Sequence, residues 1–214
     1  MATNDSALSN TAQAATAGPS RIRSLDDRLT ILGIRMIYTA LTFYFAGYFF
    51  SLIYLQMVNE NNMWLPKAVH QPALWLGLTE MLCIIVGGII YFWGQWAGLY
   101  RRNFSVLRLA LWITFVLSAA SFVLHVYELR NHPGFANLQL GGFVSTFMGL
   151  EGSFTVVIFF ATLALLGVAI RASKGLFRDS GIAVDAFGEF YGWMSAFAFA
   201  NFMALYLQPF FHSR

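Results

Sequence analysis

Five long, largely apolar stretches occupy most of this 214-residue chain, at residues 32–58, 73–100, 106–129, 142–170 and 184–208. A helix that crosses a bilayer needs about 20 such residues, and each stretch is long enough. Only 11% of the residues are charged, against about 25% in a typical soluble protein. The sequence therefore predicts an all-α fold, a bundle of five transmembrane helices within residues 31–214.

The first thirty residues differ from the rest of the chain. They are rich in Ala, Ser, Thr and Asn and contain few large apolar side chains, so they cannot bury enough surface to offset the entropy of folding. We therefore expect residues 1–30 to form a disordered cytoplasmic tail.

Basic residues are distributed unevenly between the two sides of the predicted bundle. Nine lie on the side of the N-terminus: Arg21, Arg23, Arg28, Arg101, Arg102, Arg108, Arg171, Lys174 and Arg178. Three lie on the other side: Lys67, Arg130 and Arg214. Positive charge concentrates on the cytoplasmic side, which predicts a cytoplasmic N-terminus and an outside C-terminus. Because the basic residues are distributed between the two sides of the membrane and not gathered on one face, the pI of about 9.2 does not indicate a nucleic-acid partner.

Arg35 lies inside the first predicted span. A long basic side chain near a membrane interface can extend its charged end into the polar layer. We expect Arg35 to extend to the cytoplasmic interface in this way.

Small residues recur every four positions along the fifth stretch: Gly188, Gly192, Ala196, Ala200 and Ala204. Gly94 and Gly98 form a shorter pair in the second stretch. Small side chains let the backbones of two membrane helices approach closely. The longer stripe is therefore predicted to be a packing face, either within this bundle or against a second subunit.

Glu151 lies within "FMGLEGSFTVVIFF", a run otherwise suited to lipid. The depth of each polar residue along its span predicts a buried polar cluster near the outer side: Glu80, His125, Tyr127, Glu128 and Glu151. We expect Glu151 to donate a hydrogen bond, with Glu80 or His125 as its partner. The cluster either carries protons or satisfies itself and fixes the helix register. The second alternative is favoured, because no line of polar groups continues to the cytoplasmic side.

Ligand sets for redox centres are not evident in the sequence. Of four histidines, only His125 lies well within a span, whereas a haem held by two histidines or a dinuclear metal site needs several converging ligands. We therefore predict no catalytic residue, no cofactor-binding residue and no metal ligand in this chain.

Each apolar stretch contains or runs into one recognisable segment: "LGIRMIYTALTFYFAGYFFSLIYL", "LTEMLCIIVGG", "VLHVYELRNH", "TFMGLEGSFTVVIFF" and "FGEFYGWMSAFAFANFMALYL". The order of these segments resembles subunit III of the haem-copper respiratory oxidases in its five-helix form. The first is similar to that family's opening helix, usually written LGMWLFxxSExxFFxG, and the second to its next helix. The third resembles the end of the family's third helix, where a Tyr-Glu pair is typical. The fourth falls where the family has TGxHGLHV, and the fifth where it has its last helix.

Several signature polar residues of that family are replaced. Leu41 stands where the family's first helix carries a glutamate, and Glu151 and Phe154 stand where its fourth helix carries two histidines. The last helix has three further replacements, where Trp, His and Asp are usual: Tyr191, Gly192 and Ser195. The resemblance therefore indicates a divergent branch, in which Glu151 replaces a histidine at a site that stays polar.

The resemblance implies a non-catalytic subunit of a terminal oxidase in the aerobic respiratory chain of a bacterial inner membrane. Such a subunit packs against the haem-bearing catalytic subunit, which holds the haem and copper, and itself binds phospholipid in a cleft between helices one and two and the remaining bundle. Two alternatives stay open. One is an accessory subunit of a nitric oxide reductase-type complex; the other is a small transporter or proton channel that uses Glu80, Glu151 and His125.

Overall fold

The structure, a computed structural model, describes residues 25–58, 64, 72–131, 141–177 and 181–207. Within those ranges every regular element is helical: α1 (Leu25–Met57), α2 (Leu74–Leu99), α3 (Phe104–Asn131), α4 (Gly142–Ser173) and α5 (Ile182–Phe202). A π-helical turn, Met203–Leu207, continues α5. All five helices are long and apolar enough to cross a membrane, which confirms the prediction of an all-α fold with five such helices.

Helix α1 begins earlier than predicted. Residues 25–30, assigned above to the tail, form its first turns, and the rest of the predicted tail lies outside the described residues. With 33 residues the helix is about 50 Å long, well beyond the roughly 30 Å of a bilayer's hydrocarbon core. Its polar first turns therefore need not lie in lipid, and a prediction based on apolar length cannot detect them.

Four of the helices form a ring, and α1 lies outside it. Helix α2 packs against α3 and α5, α3 packs against α4, and α4 contacts α5. Helix α1 packs over the seam between α4 and α5. Only 11% of its most apolar window is buried in the protein, against 33–44% for the other four helices. The expected cleft between helices one and two and the rest is therefore absent from the described structure, because α2 belongs to the ring.

Small residues permit close contact between α2 and its neighbours. A side chain added at Gly94 would overlap Ala110 of α3, and one added at Gly98 would press against Leu107.

The two halves of the small-residue stripe on α5 lie in different surroundings. Gly188 and Gly192 face α2, Ala204 is half-buried, and Ala196 and Ala200 are exposed. Packing within the bundle thus explains the first half of the stripe, while its second half presents small side chains on the outer surface.

Polar contacts attach α1 to the ring. The guanidinium of Arg35 donates two hydrogen bonds of 2.8 Å to the carboxylate of Glu189 on α5. Trp193 Nε1 donates to Thr42 Oγ1 at 2.8 Å. The expectation for Arg35 was incomplete, because its charge is satisfied by an ion pair between helices rather than by the interface alone.

Candidate functional site

Four of the predicted polar residues meet in the interior at one end of the ring. Their side chains are at most 4% exposed, and they come from three helices: Glu80 on α2, His125 and Glu128 on α3, and Glu151 on α4. Glu80 lies six residues after the start of α2 and His125 six residues before the end of α3. The antiparallel course of neighbouring helices brings them to a similar depth.

Tyr127, the fifth residue predicted for this cluster, does not belong to it. Its side chain is 57% exposed and lies on the outer surface of α3. At about 100° per residue, Tyr127 is rotated by about 200° from His125, whereas Glu128 is only about 60° away. The depth of Tyr127 along α3 was predicted correctly, but the rotation of the helix directs its side chain away from the buried cluster.

His125 is oriented by the backbone of its own helix. Its Nδ1 lies 2.8 Å from the carbonyl oxygen of Ser121. A carbonyl oxygen can only accept, so Nδ1 carries the hydrogen of this bond. In the neutral ring, the lone pair is then on Nε2. The edge of the ring also contacts Phe154, with ring centroids 5.8 Å apart.

Glu151 is held between α3 and α5. The side-chain amide of Asn201 donates a hydrogen bond of 2.6 Å to Glu151 Oε2. The other oxygen, Oε1, lies 3.1 Å from His125 Nε2. The sequence predicted His125 as a neighbour of Glu151, and the structure brings these two side chains into contact. The sequence-based prediction did not include Asn201.

The two remaining carboxyl groups lie beside this pair. Glu80 Oε2 is 3.8 Å from His125 Nδ1, and the backbone carbonyl of Glu80 accepts a hydrogen bond of 3.2 Å from Ser121 Oγ. The hydroxyl of Tyr206 donates to Glu128 Oε2. Gly77 makes that contact possible, because a side chain at this position would overlap the Tyr206 ring.

Several polar atoms in the cluster are not satisfied by the described residues. Of the six buried side-chain oxygens without a hydrogen-bond partner among the described residues, four belong to the cluster: Glu80 Oε1, Glu128 Oε1, Glu151 Oε1 and Asn201 Oδ1. The contact between Glu151 Oε1 and His125 Nε2 is close, but its geometry is not that of a hydrogen bond. A cavity of about 10 Å³ lies among these side chains, room for one water-sized group.

The cluster offers two kinds of chemistry. Carboxyl groups and an imidazole in contact can hold and exchange protons. The same donor types can bind a cation, and one ligand atom from each of Glu80, His125 and Glu151 lies within 4.8 Å of the others. The sequence predicted that these three side chains share one cluster, but it predicted no metal ligand among them, because ligands on different helices form no recognisable motif.

Other buried polar groups continue from the cluster towards the opposite end of the ring. Ser118 Oγ and Thr162 Oγ1 are 2.8 Å apart between α3 and α4. Further along, Gln95 Nε2 donates to Asp185 Oδ1 at 2.9 Å. Hydroxyl side chains in apolar stretches were not counted in the prediction that no line of polar groups continues in this direction. Among the described residues these groups form separate pairs, and no hydrogen-bonded line joins them to the cluster.

Comparison with known proteins gives no further guidance: no protein-family model and no curated protein matches the chain.

Substitution of Glu151 tests how far the cluster depends on this side chain. In Glu151→Gln the amide oxygen can accept from Asn201 and the amide nitrogen can donate to His125, so we expect stability within about 1 kcal/mol of the wild type. Glu151→Leu leaves the buried Asn201 amide without its acceptor and should cost about 1–3 kcal/mol. Thermal unfolding in mild detergent with a chelator present measures both variants.

A double variant provides the control. If the Asn201–Glu151 hydrogen bond carries the effect, Glu151→Leu combined with Asn201→Leu should lose less stability than the two single variants together. Strict additivity would mean that this bond contributes nothing.

Proposed function

We propose that the chain is a non-catalytic membrane subunit of a haem-copper terminal oxidase complex in aerobic respiration. In this role it packs against the haem-bearing catalytic subunit of a bacterial inner membrane, stabilises it and holds phospholipid. The resemblance of five sequence segments in order motivates the proposal. The structural observation that supports it best is the position of α1 outside the ring, which creates a groove suited to lipid.

The groove lies where α1 crosses the seam between α4 and α5. It is apolar, has a volume of about 190 Å³, and is lined by Ile34, Ile37, Phe160, Ala161, Ala164, Phe187 and Phe190. Arg28 and Arg35 line a second pocket on the same helix, nearer its N-terminus. Apolar side chains beside a basic group match an acyl chain beside a phosphate. Both arginines are exposed, but Arg35 is already paired with Glu189, so Arg28 is the candidate for the phosphate.

We also propose that the N-terminus is cytoplasmic and the C-terminus outside. The nine-to-three distribution of basic residues supports this orientation. A reporter fused before residue 1 or inserted beside Lys174 should be found in the cytoplasm, and one fused after Arg214 outside. A cytoplasmic C-terminal reporter would contradict the orientation.

Purification in mild detergent tests the proposed complex directly. We expect the tagged chain to bring down a stoichiometric partner that contains haem and copper and consumes oxygen. A complex that consumes nitric oxide instead would support the nitric oxide reductase alternative.

A proton channel is the second candidate, and the polar pairs that lie between the cluster and the opposite end of the ring favour it. Under this alternative, the purified chain would be a haem-free homo-oligomer that moves protons in liposomes. That outcome, without any haem-bearing partner, would overturn the oxidase proposal.

Lipid binding can be tested through Arg28. A hydrogen bond to a charged group contributes about 1.5–3 kcal/mol, so Arg28→Gln should weaken retention of an anionic phospholipid about tenfold or more. The measurement is phospholipid bound per chain after detergent exchange. Arg108→Gln, an exposed arginine at the same end of the bundle, serves as the matched control. Equal loss in both variants would indicate unspecific attraction to the membrane surface.

A further inference from the structure

The three converging side chains have the composition of a metal site. Glu80, His125 and Glu151 supply two carboxylates and one imidazole, and each side chain is at most 2% exposed. One ligand atom from each lies within 4.8 Å of the others. We propose that they bind one divalent transition-metal ion, with Zn²⁺ best suited, in a structural site that joins α2, α3 and α4.

The orientation of His125 supports this assignment. Histidines that bind metals commonly donate their other ring N–H to a carbonyl or carboxylate, which fixes the ring and leaves the ligating nitrogen unprotonated. Nδ1 of His125 makes such a contact with the Ser121 carbonyl at 2.8 Å. The Nε2 lone pair is therefore directed towards Glu151.

The spacing of the ligand atoms is also suitable. With bonds of about 2.0–2.2 Å to Zn²⁺ in tetrahedral geometry, two ligands of one ion are roughly 3.3–3.6 Å apart. His125 Nε2 and Glu151 Oε1 are 3.1 Å apart without the geometry of a hydrogen bond. A small adjustment of one side chain reaches the required separation.

Buried oxygens without partners provide an independent observation. Among the described residues, Glu80 Oε1 and Glu151 Oε1 have no hydrogen-bond partner, and both side chains line the 10 Å³ cavity. Leaving such atoms unpaired in a low-dielectric interior is costly. Coordination to a cation satisfies them. Asn201 Oδ1, also without a partner and belonging to a residue that lines the same cavity, is the candidate for a fourth ligand.

Charge and donor type select the ion. Two carboxylates and a divalent cation have no net charge, which suits burial in a membrane bundle. Imidazole together with carboxylate oxygens suits Zn²⁺ and related transition metals. Ca²⁺ takes six to eight oxygen ligands and Mg²⁺ keeps several waters, and the cavity is too small for either arrangement.

Zinc titration of the full chain tests the site. The protein is purified in mild detergent without a polyhistidine tag, stripped with a chelator, and titrated with Zn²⁺ while binding is followed by calorimetry. We expect one ion per chain. Glu80→Gln, His125→Gln and Glu151→Gln should each weaken binding more than the roughly 10- to 100-fold effect typical of groups that only orient a ligand. For Asn201→Ser, we expect the loss of Zn²⁺ affinity to fall within that 10- to 100-fold range or above it.

Glu189→Gln is the matched control, since it changes a partly exposed glutamate that pairs with Arg35 near the other end of the bundle. It should bind Zn²⁺ as the wild type does. Co²⁺ replaces Zn²⁺ as a spectroscopic probe, and the wild type should show the strong visible absorption of a four-coordinate ion. This measurement remains decisive even where a variant fails to fold.

Three results would overturn the proposal. They are a wild-type chain that binds no Zn²⁺, ligand variants that bind as tightly as Glu189→Gln, and a Co²⁺ spectrum of a six-coordinate ion at the surface. The titration needs no partner subunit. Failure to recover a haem-containing complex therefore leaves the metal site unaffected, and absence of zinc leaves the oxidase proposal unaffected.

Discussion

The architecture depends on satisfying polar groups where lipid offers no hydrogen bonds. A carboxyl group in the hydrocarbon region must find its partners within the bundle, and Glu151 finds them on two other helices. Asn201 donates to it from α5, and His125 contacts it from α3. These contacts fix the relative depth of three helices, because sliding any one by a turn would separate the groups by about 5 Å. Apolar packing alone does not impose such a register.

The same constraint operates at the other end of the molecule with a different result. Arg35 and Glu189 form a pair that is partly exposed, at 53% and 37% of their side-chain surfaces. An exposed pair contributes little in water, but beside lipid neither charge has an equivalent alternative. The pair holds α1 against α5 while most of α1 remains outside the ring. Besides these polar contacts, α1 is attached by a few buried apolar side chains such as Phe45 and Leu52. The space left along its side forms the apolar groove beneath α1.

Sequence patterns predicted the features that depend on one helix at a time. Apolar length identified the five spans, and position along each span placed Glu80, His125 and Glu151 at one depth. Features that depend on rotation or on partners were predicted less well. Tyr127 was included because depth was considered without angle. Asn201 and Tyr206 were missed, although an amide in the last apolar stretch and a tyrosine near its end were visible signals. The ion pair of Arg35 required knowledge of which helices are neighbours.

The crowding of acidic groups also links the two kinds of chemistry open to the cluster. Three carboxyl groups and one imidazole within a small buried volume cannot all carry their full charge, because the carboxylates would repel one another without solvent to screen them. Protons or a cation must supply the balance. Both use the same lone pairs, so an ion bound between Glu80, His125 and Glu151 displaces protons from these groups. A bound zinc ion would therefore stop this cluster from carrying protons, and bound protons would weaken the zinc site. Structural metal binding and proton conduction would thus compete for one set of side chains.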